Sequence, residues 1–381
     1  MESELSLCHI RKWLSRGSPI DLGMQDMPMG DLAMAVTPQK APLISHQIIL
    51  SSALIVYGTQ HAQVSTTRRG YSMYGESLVR LNAALSEPRC FERDELCLSV
   101  IILTCLEMLA PTDPETRLKH TIGLERLIDL RGPQAYCAPQ PEVFNCIATM
   151  LLSATLRTET PSIFAREDWK VALRARCQDD AMADQELHDL FADCTVLGAD
   201  RRKILATRHS AGQQLERESE TAEQTALAIR ADVHGWKAKW QIYPRSVCVE
   251  HTALVVPNTL DVGLKVYEFP REKAALTYMM YNTVLLHVQR ILLSVAAQQP
   301  GTGEYRRNLY RAQEVEAALE ICRCIPYYLK TAPHKTVGFA AAFIWALMGA
   351  WETLGGKDTS AGKWMLGVLS SSGGEDLTKL L

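Results

Sequence analysis

Five residues stand out because their chemistry is foreign to the apolar runs that carry them. Glu107 sits in SVIILTCLEMLA, and His120 opens HTIGLERLIDLRGP. Tyr281 and His287 interrupt YMMYNTVLLHVQRILLSVAA, and Trp345 lies in FAAAFIWALMGAW. A carboxylate or imidazole on an apolar helix is costly to bury unpaired, so it is either a satisfied core group or the lining of a cavity. In an interhelical cavity, Glu107, His120 and His287 are the groups able to move protons. Tyr281 and Trp345 are the groups suited to hold an apolar ligand. Catalysis, simple binding and a purely structural role all remain open at this level.

The other constellations that carry chemistry are missing. GTGEYR is a lone GxG with no strand before it and no third glycine, so it makes no dinucleotide cradle. The chain has no GxxxxGK[ST], no GxSxG and no HExxH. Its 10 histidines are dispersed, and no two share the spacing of a zinc-binding helix face. The 11 cysteines are scattered without a CxxC pair, and Cys322 and Cys324 point about 200° apart on a helix. No metal and no cofactor is therefore expected. Glu167-Asp168, before Trp169, reads as acid at a helix N-terminus. DDAMAD (179–184) fails the metal-diphosphate pattern of all-α terpene cyclases, because it does not end an aromatic-rich core helix. A net charge of −3 gives no basic surface for nucleic acid, and ADRRK (199–203) is read as a solvated helix start. No apolar run reaches the roughly 18–20 residues needed to span a bilayer. MESELSLCHIRKW lacks a signal-peptide pattern, so an intracellular protein without membrane contact is expected.

Helical periods dominate the elements that must position these residues. Residues 1–40, rich in Met, Pro and Gly after a short helix at Leu5–Leu14, read as a partly irregular lead-in. Residues 41–381 read as one all-α domain, a layered array of helices joined by short loops. Helices are expected near 44–62, 71–86, 94–110, 141–158, 166–177, 184–199, 201–240, 271–297, 304–330 and 336–354. The stretch 248–269 is dense in β-branched residues and is either a short hairpin or a loop and helix. On a helical wheel, His120, Gly123, Leu124, Leu127, Ile128, Leu130 and Arg131 share an arc of about 160°. His120 and Arg131 lie about 16 Å apart along the axis and cannot bond to each other. Gly123 is expected to admit a neighbouring helix. Ile122, off the arc, is expected to meet a second neighbour. Gly132 fits a left-handed helix end, Pro133 a hard stop, and Arg131 a partner for the helix end or an adjacent acid.

The pattern H-x-x-G-x-x-x-L-I-x-x-R-G-P resembles the middle homology region of fungal zinc-cluster transcription factors, the fungal-specific transcription factor domain. YGESLVRLNAALSEP followed by RDELCLSVIILTCLEML (74–109) is similar to the helix pair that precedes this motif. FAAAFIWALMGAWETLGGKDTSAGKWMLGVL (339–369) looks like the family's terminal helices. The likeness extends over about residues 40–370. It implies a helical regulatory domain, residence in the nucleus (or the cytoplasm), and partner proteins or self-association. It also implies a place in fungal secondary metabolism and, between helices, a small apolar ligand. The family's six-cysteine module is absent from this sequence, so direct sequence-specific DNA binding is not expected. The competing expectation is a metabolite-binding protein or an enzyme, a cyclase or isomerase, built on the same helices.

Overall fold

In the computed structural model the described residues are 2–11, 43–107, 114–136, 141–177, 179–206, 212–242, 248–252, 265–297, 304–331 and 341–371. Among them are 13 α-helices and 2 short strands, so the protein is all-α. The chain divides into two compact units, Met1–Leu151 with His334–Ala340, and Leu152–Pro333 with Ala341–Leu381.

Unit 1 contains α1 (Glu2–Arg11), α2 (Ile44–Gln60), α3 (Val64–Leu85), α4 (Asp94–Glu107) and α5 (Pro114–Tyr136). α2 and α3 form a tight helical hairpin, and α2 also packs on α1 and α4. Ile48, Ile49, Ala53, Leu54 and Ile55 bury α2 on nearly every side. The close approach of the hairpin depends on two glycines. A Cβ on Gly70 would lie 2.8 Å from the Ile55 backbone nitrogen, and one on Gly58 would lie 2.7 Å from that of Thr67. α3 therefore starts at Val64, seven residues before the expected position, because Gly70 serves packing and not a turn.

α5 corrects three expectations. Leu124, Leu127 and Ile128 are buried as the wheel requires, but Leu130 and Ile122 are exposed. Gly123 is exposed too, and a Cβ there would meet nothing within 4 Å, so among the described residues no helix approaches it. At Gly132 the backbone turns to φ 77°, ψ 165°, a region that only glycine adopts readily. The turn is a kink and not a stop. Pro133 follows as the first residue of a further helical turn that reaches Tyr136, a position where its missing N–H costs nothing. Arg131 pairs with Asp94 in the first turn of α4, and its side chain is only 13% exposed against 91% for Asp94.

The boundary between the units falls within α6 (Pro141–Thr158). Unit 2 continues with α7 (Glu167–Arg174), α8 (Asp179–Ala206), α9 (Gly212–Trp240), β1 (Val249–Thr252) and β2 (Lys265–Glu268). It closes with α10 (Glu272–Ala296), α11 (Glu304–Thr331), α12 (Ala341–Thr353) and α13 (Ser360–Ser371). Glu167 and Asp168 occupy the first turn of α7, as their spacing suggested. β1 and β2 pair antiparallel, Val249 opposite Glu268 and Thr252 opposite Lys265, and β2 lies against α11. α10 is the central strut, packed against α8, α9, α11 and α12. Of its 25 residues 18 are buried, which marks a helix surrounded by others and not an amphipathic surface helix. Asn282 and Thr283 survive inside it by donating to the Tyr278 and Met279 carbonyls one turn back.

Candidate functional site

Unit 2 holds a cavity of about 380 Å³ between α6, α8, α10 and α12. Each wall is one helix face at helical spacing. α10 contributes Thr283, His287, Arg290 and Ile291, and α12 contributes Trp345, Met348, Gly349 and Glu352. α8 contributes Phe191, Gly198 and Arg201, and Leu156 and Arg157 come from the last turn of α6. Gly198 is a cavity-facing position, since a Cβ there would meet nothing within 4 Å. α8 runs on through this glycine to Ala206, where a break near residue 199 was expected.

The α6 end is built under strain. Glu159 has φ +50°, a left-handed conformation that glycine would normally supply. The Thr160 N–H donates to the Thr155 carbonyl at 3.0 Å and the Glu159 N–H to the Leu156 carbonyl at 3.2 Å, which ties off the helix. The strained residue is put to use: its carboxylate accepts a hydrogen bond from Arg201, whose Nε donates to Ser294 Oγ at 2.8 Å.

Arg290 is fully engaged. Its Nε donates to Glu314 Oε1 at 3.0 Å and its Nη1 to Glu352 at 3.2 Å. Its Nη2 donates to the Gly349 carbonyl at 3.1 Å and to Thr353 Oγ1 at 2.9 Å. Glu314, with a side chain 3% exposed, also accepts from Arg311 at 2.7 Å and from Thr353 at 3.1 Å. This buried carboxylate thus pins α10, α11 and α12 together behind the cavity.

Three groups at the cavity are not used up in this way. The Arg157 guanidinium lies over the Trp345 ring, 5.4 Å from its centroid, and has no carboxylate partner among the described residues. Trp345 Nε1 has no hydrogen-bond acceptor among the described residues. His287 is half-buried, and neither ring nitrogen hydrogen-bonds to a described residue. Burial, and after it the Arg290 charge, push its pKa down to about 3, so the ring is neutral.

Of the five residues singled out in the sequence, the structure brings His287 and Trp345 together here. Tyr281, about 120° round α10 from His287, belongs to a packed aromatic stack. It lies parallel to Trp236 at 5.8 Å and Tyr278 at 5.9 Å, and Trp240 stacks on Trp236 at 5.6 Å. Lys237 Nζ sits 5.0 Å from the Tyr281 ring centroid and 5.1 Å from that of Tyr278. Tyr281 Oη and His234 Nδ1 are 3.1 Å apart. Burial raises the tyrosine pKa and lowers the histidine pKa, so a neutral phenol and a neutral imidazole share this hydrogen bond. His120 is half-buried on α5 in unit 1 and is not among the residues that line the cavity. The Glu107 side chain, at the end of α4, lies outside the described residues.

The sequence reading missed Arg157, Arg201 and Glu314, which look like ordinary helix-surface charges. The available signal was Arg290, three residues after His287 in the same apolar run, because two polar groups on one face of a buried helix need a common reason. Among the described residues no group of three or more His, Cys, Asp or Glu is placed to hold a metal ion. The acid-rich start of α8 is employed structurally, since Asp184 pairs with Lys273 at 2.6 Å and accepts from Thr277. No described helix is long and apolar enough to cross a membrane. Comparison with family models, curated proteins and solved structures finds no match for this chain.

Proposed function

We propose that this protein is a transcription-factor-like regulator that binds a small molecule in the unit 2 cavity and acts through protein partners. The cavity carries the reading: a bounded space between helices, with His287 and Trp345 at the wall and polar groups left without partners. The family resemblance adds the expectations of a role in the nucleus, in fungal secondary metabolism, and of no direct sequence-specific DNA contact. Val64, Tyr71 and Val79 are exposed on one side of α3, which suits a protein partner.

The enzyme alternative is less well supported by the same geometry. A histidine held near pKa 3 is a weak general base at neutral pH. Glu159 and Glu352 are each tied to an arginine. Deleting the gene and profiling both transcripts and metabolites tests the choice. Lost transcripts of a gene set are expected. Unchanged transcripts with an accumulated pathway intermediate would overturn the regulator reading in favour of the enzyme.

A further inference from the structure

We propose that the cavity ligand is a small monocarboxylic acid with an apolar, preferably aromatic, body, and that Arg157 receives its carboxylate. The inference rests on reading the cavity as a ligand site, and it follows from what each polar group there already does. Arg201 is committed to Glu159 and Ser294. Arg290 is committed to Glu314, Glu352, Gly349 and Thr353. Arg157 is exposed to solvent on one side, makes no ion pair among the described residues, and lies over the face of Trp345. A guanidinium held over an indole by a cation–π contact keeps N–H groups free at its edge, where a carboxylate can take two parallel hydrogen bonds.

The charge of the lining agrees. Arg157, Arg201 and Arg290, with Arg311 behind them, face Glu159, Glu352 and Glu314, and His287 is neutral, which leaves one positive charge in excess. One extra negative charge balances the site, whereas a dianion such as a phosphate monoester would meet two fixed carboxylates. Leu156, Phe191, Ile291 and Met348 supply an apolar wall for the rest of the molecule. The volume is at the low end of ligand pockets, about 300–1,000 Å³, which limits that body to roughly one ring and a short chain. The unbonded ring nitrogens of His287 and the unpartnered Trp345 Nε1–H offer further polar contacts that the neutral part of such a ligand could use.

The test uses the full chain and a series of aryl-alkyl acids from benzoate to 6-phenylhexanoate, each beside its primary amide. Affinity is read by calorimetry, and location by amide-exchange protection at 153–159 and 345–352. At least one acid is expected to bind with its amide weaker by about tenfold or more. Arg157→Gln is expected to abolish that preference, and Arg157→Lys to keep part of it. Arg166→Gln, an exposed arginine paired with Asp168 outside the cavity lining, is expected to leave it unchanged. Amides that bind as well as acids, or Arg157→Gln with undiminished acid affinity, would overturn the acid and leave the cavity reading standing. If no compound of either series protects those segments, both fall.

Discussion

Glu314 is the most demanding test of how unit 2 is held together. Replacing Arg290 by methionine removes its Nε donor, three further hydrogen bonds, and the charge opposite a carboxylate that is 3% exposed. Breaking a buried pair from one side costs about 3–5 kcal/mol, because the orphaned charge stays buried. Two features pull the value to the low end: Arg311 still reaches Glu314 at 2.7 Å, and Arg290 keeps some contact with water. The expected loss is about 3 kcal/mol. With a urea m-value of about 3 kcal/mol/M, the midpoint falls by about 1 M. Tryptophan fluorescence is the natural probe, because Trp169, Trp236, Trp240, Trp345, Trp351 and Trp364 lie in unit 2. The double variant Arg290→Met with Glu314→Met should recover much of the loss, since an apolar pair no longer buries a charge. A single-variant effect below about 0.5 kcal/mol, as for a surface pair, would refute the reasoning. So would a double variant no better than the worse single one.

Three shorter predictions follow from named groups. Gly132→Ala should destabilise unit 1 by about 1–3 kcal/mol from backbone strain alone, since a Cβ there meets nothing within 4 Å; amide exchange along α5 should show it. His287 has a folded pKa of about 3 against 6.5 unfolded, so the unfolded chain binds the extra proton and stability is lost as pH falls through 6.5 towards 3. At pH 5 this amounts to about 1–2 kcal/mol, and His287→Gln should flatten that part of the stability curve; an equally steep fall in the variant would contradict it. Burial raises the thiol pKa of Cys194, Cys322 and Cys324, with Cys322 at about 12, so alkylation at pH 8 should modify exposed Cys8 and spare these three until the protein unfolds. Peptide mass mapping after a timed alkylation reads this directly.

Local periodicity made much of the helical framework legible. α2, α6, α10 and α11 fall within two or three residues of their expected ends, because long apolar runs and flanking prolines say where a helix can exist. Packing made the rest illegible. Gly123 and Gly70 look alike in sequence, yet only Gly70 has a helix against it. The run 201–240 reads as one polar helix, whereas α8 extends to Ala206 and α9 begins at Gly212. Continuous Glu, Arg and Gln carry no period that marks a boundary. At the site, His287 and Trp345 were visible because they are out of place on apolar faces. Arg157 and Glu314 were not, because a charge on a helix has the same appearance whether water or a buried partner receives it.

The aromatic stack on α9 and α10 has a further use. The rings of Trp236, Trp240, Tyr278 and Tyr281 lie within 16–23° of parallel in their neighbouring pairs, at centroid separations of 5.6–6.1 Å. Transition dipoles held at such spacing exchange excitation, so the ladder should dominate the near-ultraviolet circular dichroism of the molecule. Because Tyr278, Tyr281 and His287 stand on one buried rod, a small rotation of α10 at the cavity would alter the angle between those dipoles. The protein thus carries an intrinsic optical gauge of α10, readable without a dye or a label.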